Sequence, residues 1–155
     1  MDRGIALEPA ARAWYEFATD RSVEQVGFCY LDERRSIGCS PDGLVLDDGG
    51  LEIKCLNGGS HVEFMQSKKV PPEYLMQVQG SMWVTGRQWW DYVSYHDVLP
   101  PAYVRVMRDD SYIHRIAQEV EILAQSIEAM QKDLISGGYT PAWMDSPRET
   151  EEANA

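Results

Sequence analysis

The sequence predicts an α/β fold, a mixed central β-sheet flanked by α-helices, and three observations carry that prediction. Apolar spacing changes along the chain from helical to alternating and back, in the order helix, several strands, helix, two strands, helix. The 155 residues suffice for one domain with one hydrophobic core. A content of 44% hydrophobic and 10% aromatic residues excludes wholesale disorder.

The elements follow in order. Leu7, Ala11, Trp14 and Ala18 recur at helical spacing, which predicts an amphipathic helix from Ile5 to Thr19. Val23 to Tyr30 reads as a strand and Ser36 to Ser40 as a second, shorter one. Leu44-Val45-Leu46 and Leu51 to Cys55 are apolar runs on either side of Asp47-Asp48-Gly49-Gly50, a hairpin signal. His61 to Ser67 forms a short helix. Glu73 to Val84, behind Pro71-Pro72 and ended near Gly86, forms a longer one.

Trp89 to Tyr95 and Tyr103 to Met107 are two further strands, separated by Pro100-Pro101. A long helix runs from Asp110 to Leu134 and stops at Gly137-Gly138. Its apolar residues Ile113, Ile116, Val120, Leu123, Ile127, Met130 and Leu134 alternate three and four apart. That stripe fits a coiled-coil seam or, the reading preferred here, a helix packed on the sheet. Residues 1–145 form a single domain on this reading, and 146–155 a disordered acidic tail.

No secretory signal opens the chain, and no apolar run approaches the roughly 18–20 residues of a membrane span. The expectation is a cytoplasmic protein with no membrane partner. Cys29, Cys39 and Cys55 are odd in number and lack Cys-x-x-Cys spacing, which predicts reduced and mostly buried thiols. His61, His96 and His114 have no ligand spacing and are expected in loops or at the surface. Trp83, Trp89 and Trp90 are expected in the core, with base stacking as the alternative.

The formal net charge is −11, from 25 acidic and 14 basic residues. It excludes a surface that is basic throughout, but not a local cationic or metal-bridged site. Residues 51–100 are nearly neutral, with 4 basic and 5 acidic side chains. Within them, Glu52 and Lys54 share one face of a predicted strand, while Leu51, Ile53 and Cys55 share the other. A hairpin about Asp48-Gly49 returns Asp42 beside Lys54. Two carboxylates and a lysine then meet at one end of the sheet. This set suits phosphodiester hydrolysis: carboxylates hold Mg²⁺, the Ile53 carbonyl is a further oxygen donor, and the lysine stabilises developing charge. By themselves these residues are also compatible with a solvated strand pair.

Three blocks decide between the two readings. They are Arg3-Gly4 with Glu8 and Ala11-Arg12; Gly38-Cys39-Ser40-Pro41-Asp42-Gly43-Leu44 with Gly50-Leu51-Glu52-Ile53-Lys54-Cys55; and Tyr74-Leu75-Met76-Gln77-Val78-Gln79-Gly80-Ser81-Met82-Trp83-Val84-Thr85. In this order they resemble the lambda-type phage exonucleases, the YqaJ-like viral recombinase family of the PD-(D/E)xK nuclease superfamily. The resemblance implies a restriction-endonuclease-like sheet and a Mg²⁺-dependent deoxyribonuclease, with Mn²⁺ as an alternative ion and two ions per site. It implies 5′→3′ digestion of double-stranded DNA ends, a homotrimeric ring, and a single-strand annealing protein as partner in phage-type recombination. The setting it implies is the cytoplasm of a bacterial host, with a phage or prophage origin.

By position, the resemblance makes Asp42, Glu52 and the Ile53 carbonyl the metal ligands and Lys54 the catalytic lysine. Glu8 becomes a further carboxylate and Gln77 a polar residue facing the site. Lys68, Lys69, Arg87 and Gln79 are the candidate DNA contacts. Family members carry a helical segment ahead of the first block that receives the 5′-phosphate, and the matching blocks here start at Arg3. The corresponding alternative is a truncated, catalytically impaired DNA-binding or assembly subunit with the same fold.

Overall fold

The computed structural model describes residues 3–139. The elements are α1 (Arg3–Thr19), β1 (Val23–Glu24), β2 (Cys29–Tyr30), β3 (Gly38–Cys39), β4 (Gly43–Val45), β5 (Gly49–Lys54), α2 (Gly58–Ser67), α3 (Pro72–Thr85), β6 (Trp89–Ser94), β7 (Ala102–Met107) and α4 (Asp110–Ser136). The tail expected at 146–155 lies outside the described residues. Among the described residues no helix is long and apolar enough to cross a membrane.

The chain divides into two compact units, Met1–Ala117 and Gln118–Ala155. The first holds a five-stranded mixed sheet in the order β1-β4-β5-β6-β7. Only β5 and β6 run parallel; the other neighbours are antiparallel. A parallel pair needs a crossover, and α2 and α3 supply it. Alternation gives each sheet face its own core. Leu51, Ile53, Trp89 and Val93 pack with Ala11 and Tyr15 of α1, while Trp90 and Tyr92 pack with Phe64 of α2 and Val78 and Met82 of α3.

The predicted strand from Val23 to Tyr30 breaks into two. Val23–Glu24 joins the main sheet, and Cys29–Tyr30 pairs with Gly38–Cys39 in a separate ribbon. Leu46-Asp47-Asp48 makes the hairpin turn, with Leu46 in the left-handed region at φ 53°. Gly49 and Gly50, read from sequence as turn residues, are therefore the first residues of β5. The parallel register sets Gly49 against Trp89 and Gly50 against Trp90, and a Cβ at either glycine would fall 2.0–2.2 Å from an indole carbon.

Three further expectations are corrected. All three cysteines are free, but each is half-buried rather than buried. His61 is fully buried; its Nε2–H donates to the Pro100 carbonyl at 3.0 Å and its Nδ1 pairs with the Ser94 hydroxyl at 2.6 Å. On α4, Ile113 joins the core of the first unit. In the second unit, Leu123, Ile127, Met130 and Leu134 are 46–65% exposed, so the stripe beyond Ala117 is not a buried packing face. Trp89 and Trp90 are core residues as expected, and Trp83 is half-buried against the same core as Trp90.

Gly50→Ala should destabilise the chain by about 1–3 kcal/mol, the usual cost of forcing an extra methyl into a packed core. Urea unfolding followed by tryptophan fluorescence measures it. An unchanged midpoint would show that the contact with Trp90 does not constrain this position.

Candidate active site

The active-site candidates come from three places in the chain. Asp42 immediately precedes β4, and its Oδ2 accepts the Ile53 N–H at 2.6 Å. The β4–β5 ladder ends with Gly43 opposite Leu51, so Asp42 replaces the missing strand there with its side chain. The N–H and C=O of a strand residue point to the same neighbour, which directs the Ile53 carbonyl to the Asp42 side as well. Lys54 instead gives its carbonyl to Tyr95 N–H of the chain beyond β6, at 3.0 Å.

Glu52 is 1% exposed, a carboxylate buried in the middle of a sheet face. Its Oε1 meets Lys54 Nζ at 2.5 Å and accepts from Gln77 Nε2 at 2.7 Å. The crossover makes the second contact possible, because α3 carries Gln77 and Tyr74 over the face that Glu52 and Lys54 share. The Lys54 ammonium also lies 5.2 Å from the Tyr74 ring centre. Glu8, from α1, is held by Arg12 at 2.5 Å. Arg12 in turn donates to the Asp42 carbonyl.

Burial governs the electrostatics here. It pushes the Glu52 carboxyl up to about 7; neighbouring Asp42 adds to the rise, and the bonds from Lys54 and Gln77 oppose it. Burial likewise raises Asp42, and Glu8 adds to that, against the Ile53 N–H, Lys54 and Arg12. Glu52 Oε2 is buried with no hydrogen-bond partner. A buried, unpartnered carboxylate oxygen beside a second raised carboxylate fits a hard, oxygen-binding divalent cation. Among the described residues, no three His, Cys, Asp or Glu side chains cluster as a metal cage. The fitting donors are thus two carboxylates and a carbonyl.

The remaining sequence candidates lie elsewhere. Lys68 and Lys69 are exposed at the end of α2, with Lys68 as its left-handed C-cap. Arg87 does not cluster with them. Its Nη1 holds the β4–β5 turn through the Leu46 and Gly49 carbonyls at 2.6 and 2.7 Å. That turn stands five residues of β5 from Lys54, about 17 Å of strand. Gln79 is buried: its amide donates to Met107 O at 2.9 Å and accepts Asp109 N–H at 3.0 Å, joining α3 to the start of α4. Gln77, two residues earlier, points the other way to the site. Sequence reasoning gave no role to Arg12 or Tyr74, although both stand in the motif blocks that carry the family resemblance.

Glu52 and Lys54 share a sheet face, Asp42 lies at its open edge, and the comparisons with known proteins identify the chain as a deoxyribonuclease. The profile of the YqaJ-like viral recombinase domain matches residues 1–88, and the chain belongs to that family. Among solved structures, the chain is similar to the alkaline exonuclease LHK-Exo from Laribacter hongkongensis. Identity is 42% and the TM-score 0.83, over 88% of this chain and 72% of that one. The same protein in complex with dAMP matches with a TM-score of 0.82. A phage-related exonuclease from Haemophilus somnus 129PT shares the fold, with a TM-score of 0.65 and 19% identity over 83% of this chain and 72% of that one. No curated protein matches the chain.

The raised Glu52 carboxyl has a consequence for the metal-free protein. Ionised in water from about 4.5 but in the fold only from about 7, it lowers stability as pH rises through that window. Below the window both states are protonated and the cost vanishes. Glu52→Gln, melted in EDTA, should therefore be more stable than the parent by about 1–3 kcal/mol at pH 8 and indistinguishable from it near pH 4.5. A gain that does not depend on pH would reject the assigned cause.

Proposed function

We propose that the chain is a Mg²⁺-dependent exonuclease that degrades one strand of double-stranded DNA from its 5′ end in phage-type recombination. The single observation that carries the reading is the buried Glu52, with one oxygen on Lys54 and Gln77 and the other unpartnered, beside Asp42. On this reading Asp42, Glu52 and the Ile53 carbonyl hold the divalent ion, Mg²⁺ or Mn²⁺, with Glu8 as the carboxylate available to a second. The ion, when bound, neutralises phosphate charge and acidifies water.

The chain's own groups supply the rest. Lys54 is fixed by Glu52 and by the Tyr74 ring, so its ammonium is ordered before DNA arrives and stabilises charge that develops on the phosphate. Gln77 holds Glu52 in one rotamer through Oε1 and leaves Oε2 for the ion. Lys68 and Lys69 are the exposed cations available to the DNA backbone. Family membership and the similarity to an alkaline exonuclease support exonucleolytic digestion of DNA in viral recombination. The homotrimeric ring, the single-strand annealing partner and the cytoplasmic setting belong to the same proposal.

The test is digestion of linear duplex DNA labelled at either the 5′ or the 3′ end, with Mg²⁺, Mn²⁺ or EDTA. The parent should release nucleotides from 5′ ends with either metal and none in EDTA. Asp42→Ala and Lys54→Ala should each reduce the rate at least 100-fold, on the order expected for losing charge stabilisation in the transition state. Substantial activity in both variants would reject the site. Metal and DNA binding without nucleotide release would mark a binding subunit instead.

A further inference from the structure

Several polar contacts tie helix α1 to the sheet and its loops. Arg3 donates to Leu56 O at 3.2 Å and to Asp97 at 2.8 Å. The Tyr15 hydroxyl donates to the buried Asp91 at 2.7 Å. Between them, Arg12 behaves differently, because both of its partners are candidate site residues. Its Nε and Nη2 converge on the Asp42 carbonyl at 3.3 and 3.1 Å, and Nη2 also meets Glu8 Oε1 at 2.5 Å. The Arg12 side chain is only 12% exposed, so these contacts are made largely out of water.

The local structure explains why an arginine is needed. Glu8 and Arg12 are one helical turn apart and share a face of α1. The Asp42 carbonyl lies just beyond the β1–β4 ladder, which ends at Glu24 opposite Leu44, so it takes its donors from a side chain. A guanidinium presents several donors in one rigid plane and bonds both groups at once; an ammonium is a point charge on a flexible stem. Arg12 is thus a brace between the helix carboxylate and the peptide that carries the strand carboxylate.

We propose that Arg12 is a positioning residue of the active site, fixing Glu8 relative to Asp42 so that α1 contributes to the ion-binding set. This inference rests on the reading that Asp42 and Glu52 hold a divalent cation. It extends that reading to a residue on another element whose own side chain carries no ligand atom for a cation.

The experiment compares the full chain with Arg12→Lys, Glu8→Gln, the double variant and Asp42→Ala. Mn²⁺ affinity is read from the electron paramagnetic resonance of the free ion, kcat and KM from linear duplex DNA, and folding from thermal melts. Arg12→Lys should melt within a few degrees of the parent, bind Mn²⁺ about ten-fold more weakly, as for loss of a group that orients a ligand, and lose kcat with little change in KM. Glu8→Gln, which leaves the bond to the Asp42 carbonyl in place, should weaken Mn²⁺ binding comparably. In the double variant the two losses should not multiply.

Parental Mn²⁺ affinity and kcat in Arg12→Lys, or losses that multiply fully in the double variant, would overturn the inference. So would a drop in melting temperature with no change in Mn²⁺ binding, since Arg12 would then be merely structural. Asp42→Ala separates the two levels. If it too leaves Mn²⁺ binding intact, the metal-site reading fails; if it abolishes binding while Arg12→Lys is parental, only the role of Arg12 fails.

Discussion

The parallel pairing of β5 with β6 is the constraint on which the rest of this structure depends. Its register puts Gly49 and Gly50 against Trp89 and Trp90, at a spacing no larger residue allows. With that register fixed, alternation assigns every side chain of β5 to a face: Leu51 and Ile53 to the α1 core, Glu52 and Lys54 to the other. The same pairing obliges the chain to cross over the sheet, and the crossover helix α3 carries Gln77 to Glu52 and Tyr74 to Lys54. The site therefore follows from a strand pairing whose own contacts are apolar.

What the pairing assembles is unfavourable taken by itself. Two carboxylates are desolvated side by side, and each is raised by burial and by its neighbours. The fold holds them with a main-chain N–H on Asp42 and with an ammonium and an amide on Glu52, yet leaves one oxygen of Glu52 without a partner. An unpartnered buried carboxylate oxygen is what a bound cation would satisfy. The opposite sheet face shows the contrast. Asp91 is equally buried, but Tyr15 and a two-point contact from Arg105 satisfy it, and the Arg105 guanidinium stacks 3.5 Å from the Trp89 ring centre. That carboxylate is saturated, and it anchors α1.

Much of the fold was legible because periodicity survives in the sequence wherever an element buries one face. Every helix and most strands lie within a few residues of their expected bounds. The failures have a common cause. Val23 to Tyr30 looked like one strand, but its two ends belong to different sheets. Gly49-Gly50 looked like a turn because glycine favours turns, whereas here it answers to the Trp89 and Trp90 rings across the ladder. His61 looked like a loop residue and is a buried pin between Ser94 and Pro100. Gln77 and Gln79 looked alike, yet one reaches the site and the other is spent on the Met107–Asp109 junction.

The sequence by itself determined the order of elements, the face that Glu52 and Lys54 share, and, through three motif blocks, the family. These are local or near-local properties, set by side-chain alternation and by residues within a few positions of one another. Only the tertiary structure decided which oxygen of Glu52 is left open, that Arg12 ties Glu8 to the Asp42 peptide, and that Arg87 belongs to a distant turn. Each of these depends on contacts between residues 25 to 41 positions apart, apart from the Glu8–Arg12 turn itself. No spacing rule encodes such a contact, because it exists only once the β5–β6 register has brought the separate segments together.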